Sequence, residues 1–199
     1  MEYLELIFMK YIHILKFLFT HDLNHLKDCW SVELTGGKKL SIYRILKSYL
    51  KTRSLQKKFL FWWRLSNEMY MHGNKKQRNV AKNIQPQLIS KFGIDIMFGA
   101  EIGKNLSLVH PFSIAINKNV SIGENLTIHQ NVTIGQSKDP IKIIIGDNVF
   151  IGAGAIILGG EITIGNNVKI GAGAFINKDI PDNCTVYTQK TNTIIQNNN

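Results

Sequence analysis

Ile102-Gly103-Lys104-Asn105, Ile122-Gly123-Glu124-Asn125, Ile145-Gly146-Asp147-Asn148, Ile151-Gly152-Ala153-Gly154, Ile164-Gly165-Asn166-Asn167 and Ile170-Gly171-Ala172-Gly173 repeat one tetrapeptide pattern six times. Between and around these copies, aliphatic residues recur at 96, 102, 108, 116, 122, 128, 134, 145, 151, 157, 164, 170 and 176, mostly at steps of six. A step of six is neither the 3.6-residue period of a helix nor the simple alternation of a half-buried strand. It is the period of a parallel β-helix, in which short strands wind round a prism and each coil stacks on the next. The aliphatic residue points inward onto its equivalents above and below. Gly or Asn at the corner supplies the positive φ that a β-branched residue resists. Three such edges close a coil of about 18 residues, so residues 96–180 hold between four and five coils, each burying its face only against its neighbours.

The frame is broken in a few places. The step widens to eight around His110, to eleven across residues 135–144 and to seven between Ile157 and Ile164, and the register passes over Ile114.

Upstream the period changes. Tyr3, Leu6, Ile7, Tyr11, Ile14, Leu15 and Leu18 fall at helical spacing until Gly36-Gly37 breaks the pattern. A second helical run covers Ser41 to about Leu50 and a third, rich in aromatics, Leu55 to Met71, where Gly73-Asn74 stops it. Trp62 and Trp63 are adjacent, so at most one can face the core squarely. Residues 75–91 read as a short basic helix or a linker containing Pro86. The chain divides into an α-helical region over 1–92, a β-helix over 93–187 and a polar, Asn-rich tail over 188–199 expected to be disordered.

Composition narrows the function classes. The 199 residues carry a net charge of +10. Residues 1–95 hold 17 Lys and Arg against 7 Asp and Glu, while the remainder balances 7 against 7, so the whole excess sits in the helical half. That asymmetry suits either an anionic partner, including a membrane surface touched from the cytoplasmic side, or a solvated basic face. There is no zinc spacing, helix-turn-helix or basic β-sheet motif, so no nucleic-acid role is expected. The two cysteines, Cys29 and Cys184, form neither a disulfide framework nor a metal motif, which suits a reducing compartment. The apolar N-terminus is interrupted by Glu5, Lys10 and Lys16. It is read as neither a spanning helix nor a signal peptide, and the expected location is the cytoplasm.

Residues 94–180 resemble the left-handed β-helix acyltransferases, and within them the serine acetyltransferase branch. The resemblance rests on Gly93-Ile94-Asp95-Ile96, Ala100-x-Ile102-Gly103, Leu108-Val109-His110, Ile128-His129-Gln130-Asn131-Val132-Thr133-Ile134-Gly135 and Val149-Phe150-Ile151-Gly152-Ala153-Gly154-Ala155. It implies left-handed winding, a homotrimer, and acetyl transfer from acetyl-CoA to a hydroxyl, with no metal. A hydroxyl is a poor nucleophile near neutral pH and needs a base, for which histidine is suited. The resemblance places that base at His110 and gives Asp95, about one coil earlier, the task of orienting the imidazole. It assigns the acetyl-CoA groove to Ala153, Ala172, Asn177 and Lys178, with Lys178 available to a CoA phosphate.

Two departures from the branch bear on the acceptor. The acidic residue expected before the catalytic histidine is Val109, and the expected Arg-His-Pro loop reads Ser137-Lys138-Asp139-Pro140. Free serine needs partners for both its charges when desolvated. The apolar wall at Val109 and Phe112 therefore points to a sugar of a surface polysaccharide, with serine as the alternative acceptor. His129 is the second candidate base. The alternative of another class is a β-helix scaffold without catalysis.

Overall fold

The computed structural model describes residues 2–38, 41–136 and 142–189. Five helices come first: α1 (Glu2–Thr20), α2 (Asn24–Thr35), α3 (Ile42–Lys51), α4 (Leu55–His72) and α5 (Lys75–Phe92). The strands follow: β1 (Ile94–Ile96), β2 (Glu101–Ile102), β3 (Ser107–Val109), β4 (Ile114–Ile116), β5 (Val120–Ile122), β6 (Thr127–His129), β7 (Thr133–Gln136), β8 (Lys142–Ile145), β9 (Phe150–Ile151), β10 (Ile156–Gly159), β11 (Glu161–Ile164), β12 (Lys169–Ile170), β13 (Phe175–Ile176) and β14 (Thr185–Val186).

Strands three apart pair in parallel, with β14 closing directly on β12, giving three sheets in the orders β1-β4-β7-β10-β13, β2-β5-β8-β11 and β3-β6-β9-β12-β14. These are the three faces of a left-handed β-helix of about four turns. The hexapeptide frame becomes the interior. Ile96, Ile116, Ile134, Ile157 and Ile176 stack on the first face, Ile102, Ile122, Ile145 and Ile164 on the second, and Leu108, Ile128, Ile151 and Ile170 on the third, all buried. Burying each such side chain contributes roughly 1.5–3 kcal/mol.

The second-to-third corner explains the Ile-Gly-x-Asn pattern. A Cβ on Gly103 would lie 2.6 Å from the Gly123 carbonyl oxygen of the next coil, so only glycine fits. Two residues on, Asn105, Asn125, Asn148, Asn167 and Asn183 all take positive φ, between 56° and 64°. Each side-chain amide of the first four donates to the carboxamide oxygen of the next, at 2.9, 2.8, 3.1 and 2.9 Å. Asparagine tolerates the left-handed region because its short polar side chain bonds locally.

The first coil exposes an unpaired sheet edge, which helices close. Trp63 Nε1 donates to Ile96 O at 2.8 Å, and Asn67 Nδ2 donates to Ala100 O at 3.0 Å. Arg64, fully buried, donates to the carbonyls of Ile102 and Gly103 and pairs with Glu33, whose Oε1 accepts from Leu106 N at 3.0 Å. Trp62, half-buried, donates instead to the Tyr49 hydroxyl at 2.9 Å.

Three details differ from the sequence reading. Residues 24–35 form a separate helix that the apolar pattern did not separate from its predecessor. It lacks a side-chain cap, since Leu23 stands at the N-cap. Residues 75–92 are one continuous helix rather than a short helix or linker. An Asn74–Gln77 capping box starts it, and the exposed Pro86 is accommodated within it. The register does pass over Ile114, with Ile116 opposite Ile96 and Ile134, but Ile114 opposite Ile94 supplies a second inward position that the six-residue frame did not include. The tail beyond 189 and the Lys138-Asp139 loop lie outside the described residues. Among the described residues, no helix is long and apolar enough to cross a membrane.

Candidate active site

The third-to-first corner carries the site. In a regular coil, six residues run from Ile128 through Gln130-Asn131 to Ile134. At this corner each coil donates one backbone N–H to the coil before it. Gly173 N donates to Ala153 O at 2.8 Å, Gly154 N to Gln130 O at 2.9 Å, Asn131 N to Phe112 O at 3.0 Å and Ser113 N to Gly93 O at 2.8 Å. The four donors repeat the same conformation, with φ of +52° at Ser113, +60° at Asn131, +68° at Gly154 and +62° at Gly173. Gly93, Phe112, Gln130, Ala153 and Ala172 are therefore successive rungs of one column.

In that column Phe112, not His110, occupies the rung. His110 and Pro111 are the two residues by which this coil exceeds the frame. They leave the prism in a tight turn closed by Phe112 N donating to His110 O at 2.7 Å. Such a three-residue turn needs a central φ near −75°, which the proline ring supplies. His110 itself stands at φ +49° and is exposed. Its imidazole makes no hydrogen bond to another described residue. A non-glycine residue held in this region for no packing purpose is characteristic of functional sites.

Asp95 faces outward on β1, beside Ala115 of β4. One turn of the helix brings the chain from Asp95 back to the same corner at His110. The two side chains are not hydrogen-bonded to each other. Asp95 Oδ1 instead accepts from Gln85 Nε2 of α5 at 3.3 Å. Catalytic hydrogen bonds commonly tighten only once substrate is bound. His129 pairs in register with Val109 and lies half-buried against Phe150, ring centroids 5.1 Å apart. Phe112 is exposed beside the turn.

Of the four residues assigned to the acetyl-CoA groove, the fold brings two together. Ala153 and Ala172 are adjacent rungs, with the coils so close that a Cβ on Gly152 would meet Ala172 N at 2.6 Å. Asn177 and Lys178, both exposed, follow β13 and lie at the next corner, across the first face. The small rungs leave the backbone approachable by an extended arm. Gln130, the rung between Phe112 and Ala153, was not singled out from the sequence. Its carboxamide oxygen is closed off from solvent and accepts no hydrogen bond from another described residue. An unfilled acceptor next to small residues fits a ligand that brings N–H groups. The signal was available in the column itself, where Ile128-His129-Gln130-Asn131 aligns with Ile151-Gly152-Ala153-Gly154.

A separate cleft of about 300 Å³ lies between α2, α4 and the second face, lined by His25, Arg64, Glu68, His72, Glu101 and Ile122 among others. It does not include His110. In the cleft, the Glu68 carboxylate takes His25 Nδ1 on one oxygen and lies 3.5 Å from His72 Nε2 on the other. Cys29 Sγ at 3.7 Å from its Nε2, and then Glu68, raise the His25 pKa from 6.5 to about 10.

Residues 142–178 match the family described as the hexapeptide repeat of succinyl-transferase. A chain of Escherichia coli K12 named as a colanic acid biosynthesis acetyltransferase, WcaB, is 43% identical over 101 residues, 50% of this chain and 62% of that one. The chain thus spans less than two thirds of the length of that relative. A Neisseria gonorrhoeae serine acetyltransferase, solved with serine, superposes with a TM-score of 0.72 at 29% identity, over 92% of this chain and 72% of that one. Serine acetyltransferase isoform 3 of Entamoeba histolytica, solved with cysteine, gives 0.69 at 26% identity, over 96% and 66%.

Proposed function

Starting from a hexapeptide-repeat β-helix of the serine acetyltransferase-like branch, we propose that this protein is an acetyl-CoA-dependent O-acetyltransferase acting on a sugar hydroxyl in surface polysaccharide synthesis. The observation that carries the reading is the His110-Pro111 turn. It projects an imidazole that no described residue hydrogen-bonds from the corner whose later rungs, Ala153 and Ala172, are small enough to line an extended thioester arm.

His110 accepts the proton of the acceptor hydroxyl as its oxygen forms the new ester bond, then returns that proton to the departing thiol. Asp95 holds the imidazole and offsets its positive charge once it is freed from Gln85. Acetyl-CoA supplies the acyl group, Ala153 and Ala172 admit its arm, and Asn177 and Lys178 reach its far end. A neighbouring prism supplies the second wall, so the working unit is a homotrimer. The half-buried Val109 and exposed Phe112 offer an apolar surface to a pyranose ring. The name of the Escherichia coli relative supports a polysaccharide acceptor.

The likeness to serine acetyltransferases favours free serine as the second reading. Thiol release from acetyl-CoA against a panel of serine, homoserine, nucleotide sugars and glycans separates the two. We expect turnover with a sugar acceptor and little with serine. A kcat/KM for serine near ~10⁴ M⁻¹s⁻¹ or above, an ordinary value for an enzyme on its own substrate, would overturn the sugar reading. A chain that sediments as a monomer while fully active would overturn the trimer. α1 exposes Phe8, Tyr11, Leu15 and Phe19 along one side of a half that carries the whole +10 excess, which supports peripheral contact with an anionic membrane from the cytoplasm.

A further inference from the structure

The Gln130 carboxamide has a place in the column but no structural duty there. Ala153 and Ala172 occupy the equivalent rungs in the next two coils with a methyl group alone, so the corner does not require a polar side chain. The backbone groups around it are already paired: Gln130 O accepts from Gly154 N, and Asn131 N donates to Phe112 O. Yet Gln130 Oε1 is buried and unpartnered. The other two such atoms among the described residues, Trp30 Nε1 and Ser66 Oγ, lie in the helical half. A buried acceptor left without a donor destabilises the fold and calls for an explanation.

We infer that Gln130 is a binding residue for the pantetheine arm, its carboxamide turning outward so that Oε1 accepts a hydrogen bond from the arm's amide N–H nearest the thioester. The inference rests on the acetyl-CoA reading and extends it to a residue that positions the donor against the base. Gln130 stands one rung from Phe112, at the foot of the His110-Pro111 turn, and one rung from Ala153, where the small-residue stretch begins. Adjacent rungs are separated by ~4.8 Å, the spacing of neighbouring strands. A thioester presented to a hydroxyl held by His110 has its first amide nitrogen two carbons beyond the sulfur, a displacement of about one rung. The hydroxyl proton is taken by His110, so the arm's N–H is the donor left for Gln130. The contact would fix how far the arm slides along the column and hence where the carbonyl carbon stops.

Calorimetric titration of CoA into the unaltered chain, Gln130→Leu and Gln130→Glu tests this without relying on turnover, with thermal unfolding of each run alongside. Gln130→Leu keeps the volume and removes the acceptor; we expect it to weaken CoA binding about tenfold while its melting temperature holds or rises, since a buried unsatisfied oxygen has been removed. Gln130→Glu restores an acceptor and should bind within about threefold of the unaltered chain. Equal CoA affinity in Gln130→Leu would overturn the inference. So would equal weakening by both variants, since Glu keeps the shape and an acceptor and lacks only the amide N–H, which would make the donor rather than the acceptor the binding group. Failure of the unaltered chain to bind CoA would sink the acetyl-CoA reading itself, and this inference with it.

Discussion

Arg64 of α4 and Glu33 of α2 form a fully buried ion pair that also holds the sheet edge of the first coil. Arg64 donates to the carbonyls of Ile102 and Gly103 while Glu33 accepts from Leu106 N. Two charges far apart in sequence thus serve as the cap of the β-helix. Removing one partner of such a pair leaves the other charge buried and alone, which typically costs about 3–5 kcal/mol. Arg64→Met should lose about that much in urea unfolding. The double variant Glu33→Leu, Arg64→Met should recover part of it, short of full recovery because the edge groups stay unpaired. A single variant within about 1 kcal/mol of the unaltered chain would show that the edge is satisfied in another way.

His110 is exposed and its ring makes no hydrogen bond to another described residue, so its removal should spare the fold. His110→Ala should lower kcat by roughly 10²–10⁴, the usual worth of general-base assistance, with the melting temperature unchanged. Asp95→Asn should cost less, because it misorients the imidazole without deleting it. A loss below about threefold in His110→Ala would place the base elsewhere, with His129 next to be tested.

Asn148 sits in the middle of the corner ladder at φ +57°, accepting from Asn125 at 2.8 Å and donating to Asn167 at 3.1 Å. Asn148→Ala loses both bonds and forces a Cβ-bearing residue without a local hydrogen bond into the left-handed region. The expected destabilisation is about 1–3 kcal/mol. Asn148→Gly loses the same bonds but restores conformational freedom, so it should be the milder change. Urea midpoints for the two variants decide between ladder and backbone as the main contribution: if they destabilise equally, the ladder dominates.

His25 carries a pH signature. Its pKa is raised from 6.5 to about 10 by Cys29 and Glu68. A raised folded-state pKa means that the charged ring is favoured on folding. Its contribution is complete below about pH 6.5 and is lost as pH rises through about 10. The side chain is 59% exposed, so solvent screens the interaction and the effect is small. The difference in urea midpoint between the unaltered chain and His25→Ala should therefore shrink steadily from pH 6 to pH 10. A gap that stays constant or widens over that range would contradict the assignment.

The sequence alone determined the β-helix, its frame, and the place where the frame is broken at His110. Each coil repeats the same local demands: an aliphatic residue inward, glycine where the next coil crowds, asparagine where φ turns positive. A demand repeated coil after coil is visible without any long-range contact. What only the tertiary structure decided depends on residues distant in sequence. The Glu33–Leu106 bond spans 73 positions and the Trp63–Ile96 bond 33, and neither leaves a periodic trace. The same holds for the choice between Trp62 and Trp63 and for the attachment of Asp95 to Gln85. It also holds for the rung that sets Phe112, rather than His110, beside Gln130. Stacking fixes which side chains meet at a corner, and the two extra residues at His110-Pro111 shift that alignment in a way that counting sixes along the chain does not resolve.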